Sequence, residues 1–261
     1  MRMESIVWRT LAPALAGMLL YAGSARGAEI RVMISGGFSA AYSDLVPKFE
    51  RATGHTVVTA RGGSMGTAPT SIPSRLQRGE PVDLFVMVGD ALEDLVKQGK
   101  IAAGSRVDLA RSRIGLAVRA GSPKPDIATV EAFKRALLDA KSLAYSSSAS
   151  GVYLSTELFA RLGIADQVRG KSRMISGEPA GAVVARGEAE IALQQISELL
   201  PVPGIEFVGP LPAEIQKITV FSAGVAASAK QPEAAAALIA FLASPAAASA
   251  IAKSALEPLT P

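Results

Sequence analysis

The sequence predicts an α/β fold in which a mainly parallel sheet is flanked by helices, and three observations predict it. Apolar strands and amphipathic helical patterns alternate at the lengths of βα units, with no repeat, low-complexity tract or charge block between them. The run VDLFVMV is apolar nearly throughout, as a strand covered on both faces is. Several strands run directly into Gly/Ser turns, and sheets of this kind bind ligands beyond the carboxyl ends of their strands.

Residues 1–27 read as a cleaved export signal. MRMESIVWR carries two arginines, TLAPALAGMLLYAG is apolar, and SARGA offers small residues for cleavage. The apolar stretch falls short of the roughly 20 residues a membrane-spanning helix needs. Cleavage after about Gly27 removes three arginines and one glutamate (Arg2, Arg9, Arg26 and Glu4), which lowers the formal net charge from +4 to +2. About 234 of the 261 residues remain, enough for one large or two modest domains.

The mature chain opens with the strand EIRVMIS and a turn carrying Ser35, Gly36, Gly37, Phe38 and Ser39. In the following helix Tyr42, Leu45, Val46, Phe49 and Ala52 recur at helical spacing, and Gly54 ends it. TVVTAR is a second strand, GGSMGTA a second Gly/Ser turn, and SIPSRLQRG a short helix with Pro73 near its first turn. After VDLFVMV, Asp90 and Glu93 read as a capping box for GDALEDLVKQG, and Asp83 as a turn residue. SRIGLAVRAGSPKP is a strand closed by a Gly/Pro-rich turn, TVEAFKRALLDA a helix, and SLAYS a strand. The helix GVYLSTELFARLG is expected to bury Val152, Leu154, Leu158, Phe159 and Leu162. SRMIS, PAGAVVARG and EIALQQ continue the alternation. Pro201, Pro203 and Gly204 mark an irregular connection to the strand IEFVG. ITVFSAGVAASA is a long apolar strand, and two Ala-rich helices follow Pro232 and Pro245.

Composition narrows the chemistry. Lys and Arg are scattered among acids and no basic run alternates with aromatics, so nucleic acid is not an expected partner, while a small anion is compatible. Without cysteine there is neither a disulfide framework nor a thiolate metal site. The single histidine, His55, sits in the polar turn ATGHT and reads as a solvated residue, a poor foundation for a Ser-His-Asp triad or a histidine zinc site. No metal and no cofactor are expected.

Residues 145–155, YSSSASGVYLS, place hydroxyls, small residues and a glycine between a strand and a helix. Such a junction aims backbone N–H groups and hydroxyls at one spot and can hold a small anion; it can equally serve as a plain helix cap. With the turns at 35–39 and 62–66 it forms a set of three Gly/Ser loops, each at the end of a strand.

The signal segment, Ser35-Gly36-Gly37, Gly63-Ser64-Met65-Gly66, RGEPVDLFVMV, RIGLAVRAGSPKP and the ending QPEAAAALIAFLASPAAASAI together resemble the periplasmic type II solute-binding proteins of the molybdate-binding branch. The resemblance covers the mature chain and implies two α/β lobes, each a mainly parallel sheet flanked by helices, joined by two crossover strands near residues 111–119 and 217–227. Lobe 1 would comprise residues 28–110 plus 220–261, and lobe 2 residues 111–219. It further implies that Ser35 and Ser64, with groups at 148–151, hold an oxyanion. Where molybdate binders carry a Tyr and a Thr-Asp-Ala stretch this chain reads IALQQISEL, so no tyrosine stands there to complete a tetrahedral site.

The strings PSRLQRGEPVDLFVMVGDAL, SRVDLARSRIGLAVRAGSPKPDI, AYSSSASGVYLS, EPAGAVVARGEAEIALQQISEL and VPGIEFVG resemble the aconitate isomerases, periplasmic enzymes on the same fold that interconvert trans- and cis-aconitate. That reading implies a tricarboxylate ligand and a metal-free 1,3-proton shift in the interlobe cleft. The alternative is a receptor that delivers molybdate, tungstate or an organic acid to an ABC importer in the membrane.

The shift needs donors that strengthen as carbanion charge grows and one base near the methylene proton. Expected ligand contacts are Ser35, Gly36, Gly37, Ser64, Met65 and Gly66 from one side, Ser148, Ser150, Gly151, Gln194 and Gln195 from the other, and Arg75 as a bidentate clamp. The candidate bases are Glu178, Tyr145, Tyr153 and Glu198, of which Glu178 and Tyr153 are taken as catalytic. Each has a structural reading beside the functional one. Glu178 precedes Pro179 at a helix start and could serve the helix dipole, Tyr153 could be core, Gln194 and Gln195 could solvate a sheet edge, and Arg75 could be a solvated helix residue.

Overall fold

The computed structural model describes residues 27–259, so nearly all of the expected export signal lies outside the described residues. Its strands are β1 Glu29–Ile34, β2 Thr56–Arg61, β3 Leu84–Val88, β4 Val107–Ser112, β5 Ile114–Arg119, β6 Leu143–Ser146, β7 Ser172–Ile175, β8 Ile191–Gln195, β9 Ile205–Pro210, β10 Thr219–Val225 and β11 Glu257–Pro258. They form a six-stranded sheet in the order β11-β4-β10-β3-β1-β2 and a five-stranded sheet in the order β7-β6-β8-β5-β9.

In the first sheet β1, β2, β3 and β4 run one way, and β10 runs against its neighbours β3 and β4. In the second, β6, β7, β8 and β9 share a direction and β5 opposes it. The reason lies in the connections. The chain leaves the first sheet at the end of β4, enters the second through β5 after Arg113 alone, and returns from β9 to β10. A strand entering its sheet from the side facing the other lobe must run opposite to strands that end on that side. The loops following β1, β2, β3, β6, β7 and β8 therefore all open toward the gap between the sheets.

Both sheets are covered on both faces, and neighbouring residues of a strand alternate between two cores. Leu84, Val86 and Val88 of β3 pack with Tyr42, Leu45 and Phe49 of the helix Ser39–Thr53, whereas Phe85 and Met87 pack with Ile72, Leu92 and Leu95. In the second sheet Leu143, Ile191 and Leu193 join Phe133, Leu154 and Leu158, while Ala144 and Ala192 face Val183 and Val184. Burial of all five residues of β3 accounts for its continuous apolar sequence.

Some local expectations need correction. Ala52 is exposed, and Ala41 completes the buried stripe of its helix, which ends at Gly54 in the left-handed conformation with φ 73°. Val152 is exposed and Tyr153 buried in its place; a π turn at Leu154–Leu158 resets the spacing of the apolar face. Asp90 and Glu93 form no capping box, because Glu93 is drawn 2.6 Å from Arg106 Nη1 and the helix Gly89–Lys97 starts without a side-chain cap. His55 is not free in solvent: its Nδ1 accepts the Ala28 N–H at 2.9 Å. It stands where β2 begins, about 20 Å of strand from the turn at Gly62. Asp83 is buried, accepting N–H groups from Arg31, Lys230 and Gln231 and so tying β1 to the start of the helix Pro232–Leu242.

Candidate functional site

Between the two sheets lies a cleft of about 680 Å³, within the range of small-ligand sites. One wall comes from the loops after β1 and β2, with Ser35, Gly36, Gly37, Gly63 and Met65. The other comes from the segments after β6 and β7, with Ser148, Ser150 and Glu178, and from the end of β8, with Gln194 and Gln195. The strands deliver these loops to one place because their carboxyl ends all face the gap.

Several buried polar groups of the cleft are without partners. Among the described residues, six buried side-chain polar atoms are unbonded, and four of them, Ser35 Oγ, Ser150 Oγ, Ser197 Oγ and Gln195 Oε1, belong to residues that line the cleft. An unmade hydrogen bond at a buried group costs about 1–3 kcal/mol, so four in one cavity favour a ligand that satisfies them. The Gln195 amide meets the Thr219 hydroxyl at 2.9 Å, and because a hydroxyl can donate or accept, the amide can turn either its oxygen or its NH₂ toward the cleft. Gln194 serves the wall itself: its Oε1 accepts the Ala180 N–H at 2.8 Å and holds the start of the helix Ala180–Ala185.

Two carboxyls line the cleft in opposite environments. Glu178 is exposed at the rim, bonded by Arg186 at 2.8 and 3.0 Å. That guanidinium holds its carboxyl below the ordinary range. Glu198, in the short helix Ile196–Leu199 after β8, is only partly exposed, and its carboxyl lies against Gly36 of the opposite lobe so closely that a methyl group there would overlap Oε1. Burial pushes the Glu198 carboxyl up to about 7, with the Gln194 side chain pulling it part of the way back.

Several residues expected at the site stand elsewhere. Tyr153 donates its hydroxyl to the Ile215 carbonyl at 2.8 Å inside the second lobe's core, and burial raises its phenol further. Tyr145 belongs to the same core. Arg75 pairs with Glu80 at 2.7 Å and bonds the carbonyls of Thr70 and Arg61, so it braces the second loop from behind. Ser64 Oγ accepts the Val88 N–H at 3.0 Å and ties that loop to the end of β3. Gly66, with φ 85°, turns the loop against Ser147 of the other lobe, and Gly151 sits so tightly on the Ser146 carbonyl that no side chain fits. Sequence reasoning missed Arg61 and Ser197. Arg61 closes β2 immediately before the Gly/Ser turn, and that position was the available signal.

Comparison with known proteins bears on this geometry. The family of bacterial extracellular solute-binding proteins matches residues 30–256. An aconitate isomerase from Pseudomonas sp is 50% identical over 230 residues, covering 88% of this chain and 88% of that protein. The molybdate-binding protein ModA of Azotobacter vinelandii is 29% identical over 195 residues, covering 70% and 71% of the two chains. The solved structure of the Azotobacter vinelandii periplasmic molybdate-binding protein superposes with a TM-score of 0.71 at 20% identity, over 87% of this chain and 98% of that one, and shares its fold.

Proposed function

The chain belongs to the family of bacterial extracellular solute-binding proteins, and on that premise we propose that it is a periplasmic aconitate isomerase whose interlobe cleft carries a 1,3-proton shift with Glu198 as the base. Fifty per cent identity to the Pseudomonas enzyme supports the activity. The observation that carries the assignment of the base is the Glu198 carboxyl itself, held against Gly36 in a cleft of unbonded donors and raised to about 7. A base with that pKa is ionised in a useful fraction at neutral pH and still strong enough to take a carbon-bound proton.

The step balances without another reagent. Glu198 takes a proton from the methylene carbon of aconitate, and the electron pair left on carbon delocalises through the double bond into a carboxylate. Ser35, Ser150 and Ser197 donate to the carboxylate oxygens as charge builds there, and such preorganised donors lower the barrier most where charge develops. The proton then returns to the carbon at the other end of the allylic unit, and the double bond has moved. Contacts from both lobes favour the closed cleft, which keeps water from the carbanion. Glu178 is unsuited to this role because its arginine partner stabilises the charged, weakly basic form, and Tyr153 has no access to the cleft.

A second reading, a receptor for an ABC importer, is supported by the likeness to molybdate-binding proteins. One experiment separates the two. Purified protein incubated with trans-aconitate is expected to produce the cis isomer, followed by proton NMR. No turnover at high enzyme concentration, together with tight molybdate binding by calorimetry, would establish the receptor instead.

A further inference from the structure

Aconitate carries three carboxylates, yet the inner cleft offers mainly neutral donors, and its one inner carboxyl, Glu198, adds no positive charge. Among the described residues lining the cleft, Arg61 is the sole cation. It ends β2 in register with Ile34, so it stands beside Ser35 on the same wall. Its Nη2 donates to Ser43 Oγ at 3.0 Å, and the Ser43 hydroxyl in turn donates a hydrogen bond to the Ser39 carbonyl at 2.8 Å. Its Cζ lies 5.9 Å from the centre of the Tyr42 ring, whose hydroxyl meets Thr59 Oγ1 at 2.9 Å. Arg75, Arg106 and Arg186 each pair with a glutamate; Arg61 has no acidic partner among the described residues, and it lines the cleft. A guanidinium fixed on one edge and unpaired on the other matches a carboxylate bidentately.

We propose that Arg61 selects tricarboxylates over dicarboxylates by clamping the carboxylate that the neutral donors of the inner cleft leave over, with Ser43 as its positioning residue. The inference rests on the isomerase reading, since it takes the ligand to be a tricarboxylic acid.

The test uses the mature protein and two unreactive ligands, propane-1,2,3-tricarboxylate and glutarate, titrated by calorimetry alongside the aconitate assay. Wild type is expected to prefer the tricarboxylate. Arg61→Met should weaken tricarboxylate binding about 10- to 100-fold, the loss of a hydrogen-bonded charge partner, while changing glutarate binding less than about threefold. Arg61→Lys should recover part of the preference, and Ser43→Ala should lose part of it. Unchanged melting temperatures would show that the variants fold. Equal weakening of both ligands by Arg61→Met, or no weakening of either, overturns the clamp even where wild type turns over aconitate. A wild type that neither isomerises aconitate nor binds the tricarboxylate overturns the isomerase reading and the clamp with it.

Discussion

Glu178 and Glu198 follow β7 and β8 of one sheet and line the same cleft, yet their surroundings drive their carboxyls in opposite directions. At the rim, Arg186 and water stabilise the anion and leave a weak base. Between the lobes, Glu198 is pressed against the backbone of Gly36 and largely removed from solvent, with the Gln194 side chain beside it, so its charged form is the costly one and its basicity rises. Position relative to solvent, more than residue type, therefore decides which carboxyl can take a proton from carbon. The rim pair is left to shape the entrance.

The comparison can be broken most directly at Glu198. Glu198→Gln should reduce turnover about 10²- to 10⁴-fold, the usual worth of a general base, while leaving tricarboxylate binding in place by calorimetry. The same variant changes the pH dependence of stability, measured by thermal melting without ligand. Below about pH 4.5 the Glu198 carboxyl is protonated in folded and unfolded chains alike and costs nothing. As the pH rises toward 7 the unfolded chain ionises first, so wild type loses stability relative to Glu198→Gln across that window and the gap is constant above it.

Gly36→Ala tests the same contact from the opposite lobe. The added methyl overlaps Glu198 Oε1 and must push the carboxyl aside. Turnover is expected to fall roughly 100-fold, as for a misplacement of about 1 Å, with the melting temperature little changed because the carboxyl is the free end of a flexible side chain. Tyr153→Phe should leave turnover unaltered and cost about 1 kcal/mol for the lost bond to Ile215, seen as a melting decrease of a few degrees. At the rim, Glu178→Gln should change turnover less than about threefold, and a large loss there would reverse the assignment of the two glutamates.

The layout of this chain was legible because periodicity and punctuation are local. The apolar run of β3, the Gly54 stop and the Gly/Ser turns after β1, β2 and β6 all appear in the sequence where the structure has them. Buried donors were partly legible for the same reason: Ser35 and Ser150 belong to loops that follow strands, and such loops reach the cleft. Ser64 belongs to one too, but its hydroxyl is spent on β3. The distinction between those serines depends on which backbone N–H happens to lie nearby, and spacing carries no trace of it.

By itself the sequence determined the order of strands and helices, the covering of the sheets on both faces and a Gly/Ser loop at the end of each of three strands, since these follow from the period of apolar residues and from turn chemistry, whereas the resemblance to two-lobed solute-binding proteins implied their meeting at one cleft. Only the tertiary structure decided the acid–base and charge assignments. Glu178 meets Arg186 eight residues along the chain, Glu198 meets Gly36 from more than 150 residues away, Arg75 turns to Glu80, and Arg61 lines the cleft. A carboxyl's pKa and a guanidinium's availability are set by whatever the fold brings within a few ångströms, and that proximity exists only once both lobes are assembled.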